Sequence, residues 1–243
     1  IWVTGASSGI GKAVAEKFAR EGWKVAVSAR RKELLDEMAK NDNIFSFPLD
    51  VTNFDNCKST FNKIRDQLGD IDICFLCSGT YDPKKEQELN LEENKFVMDV
   101  NYFGTLNCVK AVEKYFKEKK AGHISIVSSI AGYRGLPNSS GYGPSKAALT
   151  NFAESIYFDF KKYGVRISVT SPGFIKTPLT DKNEFPMPFL RSPEFAADKV
   201  YNGLVKSRGF EIHFPKQLTM TLKFLRILPY RIYLFLVDKL VKR

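Results

Sequence analysis

Ile1-Trp-Val-Thr-Gly-Ala-Ser-Ser-Gly-Ile-Gly11 joins a short apolar run to a glycine-rich turn at the start of the chain. The residues that follow carry apolar side chains at helical spacing, and Ile10, Val14 and Phe18 fall on one stripe. Strand, turn and helix in this order are the context that a dinucleotide-binding turn requires. The spacing Gly-x3-Gly-x-Gly matches the generic Gly-x-Gly-x-x-Gly only loosely. The stretch predicts an α/β fold with a nucleotide site at the turn.

Each glycine of this turn has its own expected role. Gly5 lets the chain turn sharply, Gly9 lets the backbone approach a pyrophosphate, and Gly11 lets the helix pack on the sheet. The N-terminus of the helix then offers free N–H groups to the anion. A glycine-rich turn without a ligand is the alternative.

Strand-like and helix-like runs alternate along the chain, which predicts an α/β protein with a doubly wound parallel sheet and helices on both faces. At 243 residues the main body is the size of one domain. We predict a sheet domain over residues 1–215 and an apolar, basic helical extension over residues 216–243. The seven expected strands are Ile1–Val3, Val25–Ala29, Ile44–Leu49, Ile71–Leu76, His123–Val127, Val165–Thr170 and Phe210–Phe214.

The end of the second expected strand predicts which cofactor is bound. An acidic residue there would bond a ribose 2′-hydroxyl, whereas an arginine suits a 2′-phosphate. No Asp or Glu occurs between Trp23 and Lys32, and the run ends in Arg30 and Arg31. We therefore predict NADP as the cofactor, with NADPH preferred over NADH. Arg30 is expected on the phosphate, Arg31 is a second candidate, and Lys32 is assigned to a solvated helical turn.

Tyr142 and Lys146 stand four residues apart, so they share a face if the segment is helical. An ammonium near a phenol favours the phenolate and lowers the tyrosine pKa below its usual value of about 10. A tyrosine tuned in this way can give or take a proton at a carbonyl or alcohol oxygen. The pair alone arises often by chance, and an exposed helical pair is the alternative.

Several motifs in order, from Thr4 to Thr177, make the chain resemble the short-chain dehydrogenase/reductase family in its single-domain, Rossmann-like form. The glycine turn is similar to the cofactor turn of that family, Asp50-Val51 resembles the pair that meets the adenine, and Ser171–Thr177 resembles the segment against the nicotinamide. The resemblance implies a set of cofactor-binding residues: Gly5, Ser7, Ser8, Gly9, Ile10, Gly11, Arg30, Asp50, Val51, Gly79, Tyr142, Lys146, Pro172, Gly173, Ile175 and Thr177.

The same resemblance implies four catalytic residues. Ser129 would hydrogen-bond the reacting oxygen, and Tyr142 would exchange the proton. Lys146 would lower the tyrosine pKa and hold the nicotinamide ribose, while Asn101 would hold a water that links the lysine to solvent. The implied reaction interconverts a carbonyl and a secondary alcohol on an apolar, lipid- or steroid-like substrate.

One motif departs from the family pattern. Where the family has Asn-Asn-Ala-Gly, this chain has Leu76-Cys-Ser-Gly79, so the glycine is kept and both bracing asparagines are lost. A non-catalytic NADP(H)-binding protein is therefore one alternative function. A lyase or epimerase of the wider superfamily, which would reuse the tyrosine and lysine, is another.

Charge and cysteines narrow the list of partners. The net charge of +10 suits nucleic acid or an anionic membrane, but aromatic and basic residues are not interleaved as in nucleic-acid modules, so we expect no nucleic-acid partner. Cys74 and Cys77 lie in a strand-like run and would point to opposite faces, which predicts buried thiols and no metal site. Reduced thiols fit a cytoplasmic protein.

The C-terminal segment leaves two interpretations open. Ser192-Pro193 is typical of a helix start, and the later residues 218–237 are strongly apolar but interrupted by Lys223, Arg226, Pro229 and Arg231. No run reaches the eighteen or so apolar residues of a spanning helix. The segment is either an interfacial hairpin, which makes the protein peripheral to a membrane, or it folds over the active site or into a subunit interface. We favour the second interpretation and expect a homo-oligomer, dimer or tetramer.

Overall fold

The computed structural model describes residues 1–240, so the last three residues of the predicted extension lie outside the described part. The strands are β1 (Trp2–Thr4), β2 (Val25–Ser28), β3 (Ile44–Ser46), β4 (Ile73–Leu76), β5 (His123–Val127), β6 (Arg166–Pro172) and β7 (Glu211–Phe214). The helices are α1 (Gly9–Arg20), α2 (Lys32–Met38), α3 (Phe54–Leu68), α4 (Leu91–Met98), α5 (Gly104–Lys119), α6 (Tyr142–Lys161), α7 (Pro193–Tyr201), α8 (Lys216–Arg226) and α9 (Tyr230–Leu240).

Within residues 1–240 the strands form one seven-stranded sheet in the order β3-β2-β1-β4-β5-β6-β7, and every neighbouring pair is parallel. The direction of winding reverses between β1 and β4, and ligands of such sheets bind in the crevice at that point. The predicted doubly wound sheet and all seven strands are confirmed. The division at residue 215 into a domain and an extension stays a prediction.

Apolar residues cover both faces of the sheet because neighbouring strand residues point to opposite sides. Val3 belongs to a core that also contains Val14 and Phe18 of α1, together with apolar residues of α2 and α7. Trp2 belongs to the opposite core, which is filled by apolar residues of α3, α5 and α6, among them Phe61 and Phe116. The apolar stripe of each helix therefore packs on one face of the sheet.

Thr4 braces the loop at the point where the two family asparagines are missing. Its buried hydroxyl oxygen accepts hydrogen bonds from the backbone N–H of Cys77 at 3.1 Å and of Ser78 at 3.3 Å. Leu76, which takes the place of one asparagine, is buried among apolar residues of the α3, α5 and α6 face. The loop after β4 is therefore held to the end of β1 without either asparagine.

The C-terminal helices pack one face against the body of the protein. Leu218 and Leu222 of α8 contact Ile130, Tyr133 and Phe174 in a small apolar cluster beside the end of β5. The segment thus folds back toward the region next to Ser129, as one of the two interpretations expected. No helix of residues 1–240 is both long enough and apolar enough to cross a lipid bilayer.

Arg134 ties the α8–α9 turn to the loop that follows β5. Its guanidinium donates hydrogen bonds to the carbonyls of Leu225 (3.1 Å), Arg226 (3.2 Å) and Leu228 (2.7 Å) at the end of α8. The same group lies 4.0 Å from the ring centroid of Tyr233, whose hydroxyl donates to the Gly135 carbonyl at 2.6 Å. A cation at a helix C-terminus satisfies carbonyls that lack helical partners.

Thr4→Val should lower the free energy of unfolding by about 1–3 kcal/mol, because two N–H donors lose their acceptor while the side-chain shape is kept. The matched control is Thr4→Ser, which keeps the oxygen and should cost about 1 kcal/mol or less. Urea unfolding followed by circular dichroism measures both values. Equal stability of the two variants would show that the hydroxyl does not brace the loop.

Candidate active site

A cavity of about 450 Å³ opens at the carboxyl ends of β1, β4, β5 and β6. Its position is the crevice where the winding reverses. The cavity wall contains Ser129 together with every residue that was predicted to bind the cofactor: Gly5, Ser7, Ser8, Gly9, Ile10, Gly11, Arg30, Asp50, Val51, Gly79, Tyr142, Lys146, Pro172, Gly173, Ile175 and Thr177. Of the predicted site residues, Asn101 alone is not in the lining.

The glycine turn is shaped by two close backbone approaches. Gly5 has a φ of +67°, and a Cβ there would lie 2.7 Å from the carbonyl oxygen of Cys77. A Cβ on Gly11 would lie 2.4 Å from the Gly5 carbonyl oxygen, so only glycine closes the turn at both positions. α1 then begins at Gly9, and its first turn leaves N–H groups without intrahelical acceptors at the cavity wall.

Arg31 stands directly over this turn. Its Nη2 donates to the hydroxyl oxygens of Ser7 at 2.8 Å and Ser8 at 2.9 Å. Arg30 also lines the cavity and lies near enough to Asp50 to favour the ionised form of that carboxyl. Two guanidinium groups and two hydroxyls therefore line one end of the cavity. The sequence pattern had favoured Arg30 over Arg31 as the residue that contacts the phosphate.

Lys146 is buried behind Tyr142, with 4% of its surface exposed. Its Nζ donates a 3.0 Å hydrogen bond to the Val127 carbonyl at the end of β5 and lies 5.5 Å from the Tyr142 ring centroid. Burial lowers the pKa of the Lys146 ammonium to about 8. The predicted helix face is present, and the pair faces the cavity rather than bulk solvent.

The pKa of Tyr142 differs from the sequence-based expectation. Burial raises the pKa of this phenol to about 12, although the neighbouring Ser129 hydroxyl acts in the opposite direction. The negative charge of Glu86 contributes to the rise. The Lys146 ammonium does not offset this effect of burial on the phenol pKa. It hydrogen-bonds to the Val127 carbonyl and lies over the Tyr142 ring, 5.5 Å from the centroid. At neutral pH the phenol therefore carries its proton.

Asn101 lies just behind the cavity wall in a π-helical segment, Asp99–Phe103, between α4 and α5. Its Oδ1 accepts from the Thr80 N–H at 2.7 Å, while its Nδ2 donates to the Thr80 carbonyl at 3.1 Å and to Ser145 Oγ at 3.0 Å. Asn101 Oδ1 and Lys146 Nζ both approach Gly79, at 3.4 and 3.5 Å from the place of a Cβ. The asparagine thus fixes the loop over the lysine; its expected water link stays a prediction.

Glu86 and Tyr81 are site residues that the sequence did not reveal. The buried Glu86 carboxylate accepts from the N–H groups of Gly141 (2.8 Å) and Tyr142 (3.1 Å), where α6 begins. The Tyr81 ring packs on the Tyr142 ring with centroids 4.7 Å apart. Burial raises the pKa of the Glu86 carboxyl despite the two donors. An acidic residue suits a helix N-terminus, but this one comes from a distant loop, so local patterns could not identify it.

Two ion pairs join the segments on either side of the cavity mouth. Lys182, which lines the cavity, lies 3.3 Å from Asp82, and Lys84 lies 2.8 Å from Glu184. Asp82 and Lys84 belong to the loop of residues 80–88. Lys182 and Glu184 belong to the loop of residues 177–191. The stretch 177–191 is thus linked by charge to the loop that carries Glu86.

The cysteines and histidines do not form a metal site among the described residues. Cys74 lies in the core under α3, α5 and α6, whereas Cys77 packs against the opposite core, which confirms the predicted opposite faces. Burial raises the pKa of Cys77 to about 11, so this thiol is protonated at neutral pH. His123 bonds Ser168 inside the sheet, and burial lowers its pKa to about 3.

A cleft of this kind, at the reversal of a parallel sheet, serves chemistry on a nucleotide cofactor. The protein is a Rossmann-fold oxidoreductase. The chain belongs to the short-chain dehydrogenase family, whose model, described as short chain dehydrogenase, matches residues 1–186. It is accordingly an NAD(P)-dependent dehydrogenase/reductase.

Individual relatives agree with this assignment. An "Uncharacterized oxidoreductase" of Myxococcus xanthus is 35% identical over 232 residues, which cover 93% of this chain and 91% of the relative. The 3-dehydrosphinganine reductase of Danio rerio is 33% identical over 186 residues, 72% of this chain and 56% of the relative. The solved structure of ElxO with NADP bound is 26% identical with a TM-score of 0.77, over 87% of this chain and 96% of that one.

Glu86→Gln should change how stability depends on pH. A folded-state pKa above the unfolded value means that ionised Glu86 opposes folding, so the contribution of this carboxyl to stability falls as pH rises above about 4.5. The glutamine variant has no such charge, and its stability relative to the original protein should improve between pH 4 and pH 7.

Urea unfolding at a series of pH values measures this difference. Glu88→Gln, an exposed change in the same loop, is the control and should show no pH-dependent difference. A relative stability of Glu86→Gln that declines as pH rises would mean that the two N–H donors outweigh burial.

Proposed function

We propose that the protein interconverts a carbonyl and a secondary alcohol with NADP(H), and that Tyr142 acts as the general acid or base. The observation that carries this proposal is the placement of Ser129, Tyr142 and Lys146 in the same cavity as the glycine turn. When bound, the nicotinamide supplies or accepts the hydride. The residues of this chain then have to bind the cofactor, orient the reacting oxygen and move one proton.

Ser129 orients the reacting oxygen in this proposal. Its Oγ accepts a 3.2 Å hydrogen bond from the Ala131 N–H, which directs the hydroxyl at the start of a short 3-10 turn. An oxygen that accepts from a backbone donor can still donate its own proton. Ser129 and Tyr142 would therefore both donate to one oxygen, on which negative charge develops during reduction.

Tyr142 donates the proton during carbonyl reduction. Its pKa of about 12 keeps the phenol protonated at neutral pH, which favours the role of acid. In the direction of oxidation the phenol has to be ionised first. The Lys146 charge and any positive charge brought to the cavity would lower the phenol pKa toward that state.

The cofactor preference is supported by charge at one end of the cavity. Arg31 is held by Ser7 and Ser8, and Arg30 lines the same region, so a 2′-phosphate would find two guanidinium groups and two hydroxyls. Lys146 and Tyr142 would hold the ribose at the other end, and the segment Pro172–Thr177 would contact the nicotinamide. NADPH is the form that this charge distribution favours.

An apolar cluster lies directly beside Ser129, just outside the cavity wall, and it supports a lipid- or steroid-like substrate. Ile130 follows Ser129 directly and packs with Tyr133, Leu218 and Phe174. The Danio rerio relative is described as a 3-dehydrosphinganine reductase, and this name supports the same substrate class. We propose an apolar ketone or secondary alcohol as the substrate class.

The non-catalytic alternative and the expected partners of the protein are both affected by the structure. The non-catalytic alternative depended on the loss of asparagines at Leu76 and Cys77, and Thr4 now supplies the bracing that those residues would give. We also propose a homo-oligomer, supported by the exposed rings of Phe103, at the end of the π-helical segment before α5, and of Phe158 in α6. We further propose peripheral membrane contact through α8 and α9.

Tyr142→Phe should lower kcat for ketone reduction by about 10²–10⁴-fold, because the proton donor is lost while ring packing on Tyr81 is kept. NADPH consumption with a panel of apolar ketones measures the rate. Tyr163→Phe, at an exposed site outside the cavity, is the control and should keep the original rate. Full turnover by the Tyr142 variant would reject the proton-transfer role.

Arg31→Ala and Arg30→Ala should each weaken NADPH binding by about 10–100-fold and leave NADH binding nearly unchanged, because only NADPH carries the 2′-phosphate. Fluorescence titration with both cofactors measures the ratio. Lys24→Ala removes an exposed cation outside the cavity and should change neither affinity. Equal affinity of the original protein for NADPH and NADH would contradict the proposed preference.

A further inference from the structure

Seven large apolar side chains are exposed within sixteen residues of α8 and α9. Ile227 and Tyr230 are each 76% exposed, and the others are between 49% and 61% exposed. We call this surface the α8–α9 face; its residues are Met220, Phe224, Ile227, Tyr230, Ile232, Leu234 and Phe235. Single exposed apolar residues are ordinary, but a contiguous group of this size marks an interaction surface.

The spacing of these residues shows that the exposed side chains form a continuous surface along the helix. Met220 and Phe224 lie four residues apart on one stripe of α8, and Ile227, directly after the end of the helix, continues that stripe three residues later. The opposite stripe of the same helix, with Leu218 and Leu222, is already packed on the protein. α8 is therefore apolar on two sides, and the second side has no partner within the described residues.

Basic residues lie next to those of the α8–α9 face along the chain, and we call them its basic border. Lys216, Arg226, Arg231 and Lys239 are exposed, whereas Lys223 is paired with Glu211 of β7. Asp238 is the one acidic residue in the stretch 216–240. Exposed apolar side chains with cations along their border are the pattern of helices that lie in the headgroup region of an anionic bilayer.

The charge also decides between a bilayer and a second copy of the chain. A twofold contact would set the same basic border against itself, with a single aspartate per copy to offset the repulsion. Each helix has eleven residues, about 16 Å of length, which is too short to span a hydrocarbon core of about 30 Å. We propose that the α8–α9 face docks on the surface of an anionic lipid bilayer.

The docked orientation would bring the membrane beside the loop that follows β5 and carries Ser129. α8 packs on Ile130 and Tyr133, which follow Ser129, and Arg134 of the same loop clamps the end of α8. This part of the inference rests on the proposed apolar substrate, which would then reach the cavity from the lipid surface. The docking itself depends on the α8–α9 face alone.

Sedimentation with sucrose-loaded vesicles tests the docking, using the full chain. Vesicles of phosphatidylcholine with phosphatidylglycerol should bind the protein, and vesicles of pure phosphatidylcholine should bind it far more weakly. Arg231→Gln with Lys239→Gln should reduce binding about twenty-five-fold, since each cation near the surface contributes about fivefold. Phe224→Ser with Leu234→Ser and Phe235→Ser should reduce it by at least about a hundredfold.

Matched changes at another surface serve as controls. Leu91→Ser removes a comparably exposed apolar side chain from α4, and Lys114→Gln removes an exposed cation from α5. Both variants should bind vesicles like the original protein. NADPH fluorescence titration of every variant checks that the fold is intact. Tyr142→Phe should bind vesicles normally, so a failure of the proposed catalysis would leave this test unaffected.

Three outcomes would overturn the inference. Equal binding to neutral and anionic vesicles would remove the role of the basic border. Vesicle binding that is unchanged in the triple serine variant would show that another surface docks. Absence of vesicle binding, together with a smaller particle mass of that variant in light scattering, would identify the face as a contact between subunits.

Discussion

The hydrogen bond from the Lys146 ammonium to the Val127 carbonyl is the interaction on which the geometry of the site depends. A buried ammonium is costly without a partner, so α6 has to lie where the end of β5 can supply one. A second bond, from the Ser128 hydroxyl to the Lys146 carbonyl at 2.8 Å, joins the same two elements in the opposite direction. Together they hold Tyr142 on the helix and Ser129 after the strand at one edge of the sheet, where the glycine turn already ends β1.

Much of this arrangement could be predicted, because it follows from rules that act locally or through chain order. Alternating apolar runs predicted all seven strands, and parallel strands bring their carboxyl ends to one edge, which is why residues as distant as Gly5 and Thr177 line one cavity. Ser192 predicted the start of α7 correctly, since its hydroxyl accepts from the Phe195 N–H.

The parts that could not be predicted depend on burial and on long-range pairing. The pKa of Tyr142 was expected below its usual value and is raised instead, because burial of the phenol is invisible in a four-residue spacing. Glu86 reaches the start of α6 across more than fifty residues, and Arg31 rather than Arg30 contacts Ser7. Side-chain direction at a strand end and loop placement decide both, and neither leaves a periodic pattern.

Arg134 gives the molecule a mechanical property. One guanidinium holds the last turn of α8 and the ring of Tyr233, and it belongs to the loop that also carries Ser129. A displacement of α8 and α9 would therefore shift Arg134 and, through residues 130–133 of the same loop, act on Ser129. A partner that binds α8 and α9 would therefore also affect how firmly Ser129 is positioned.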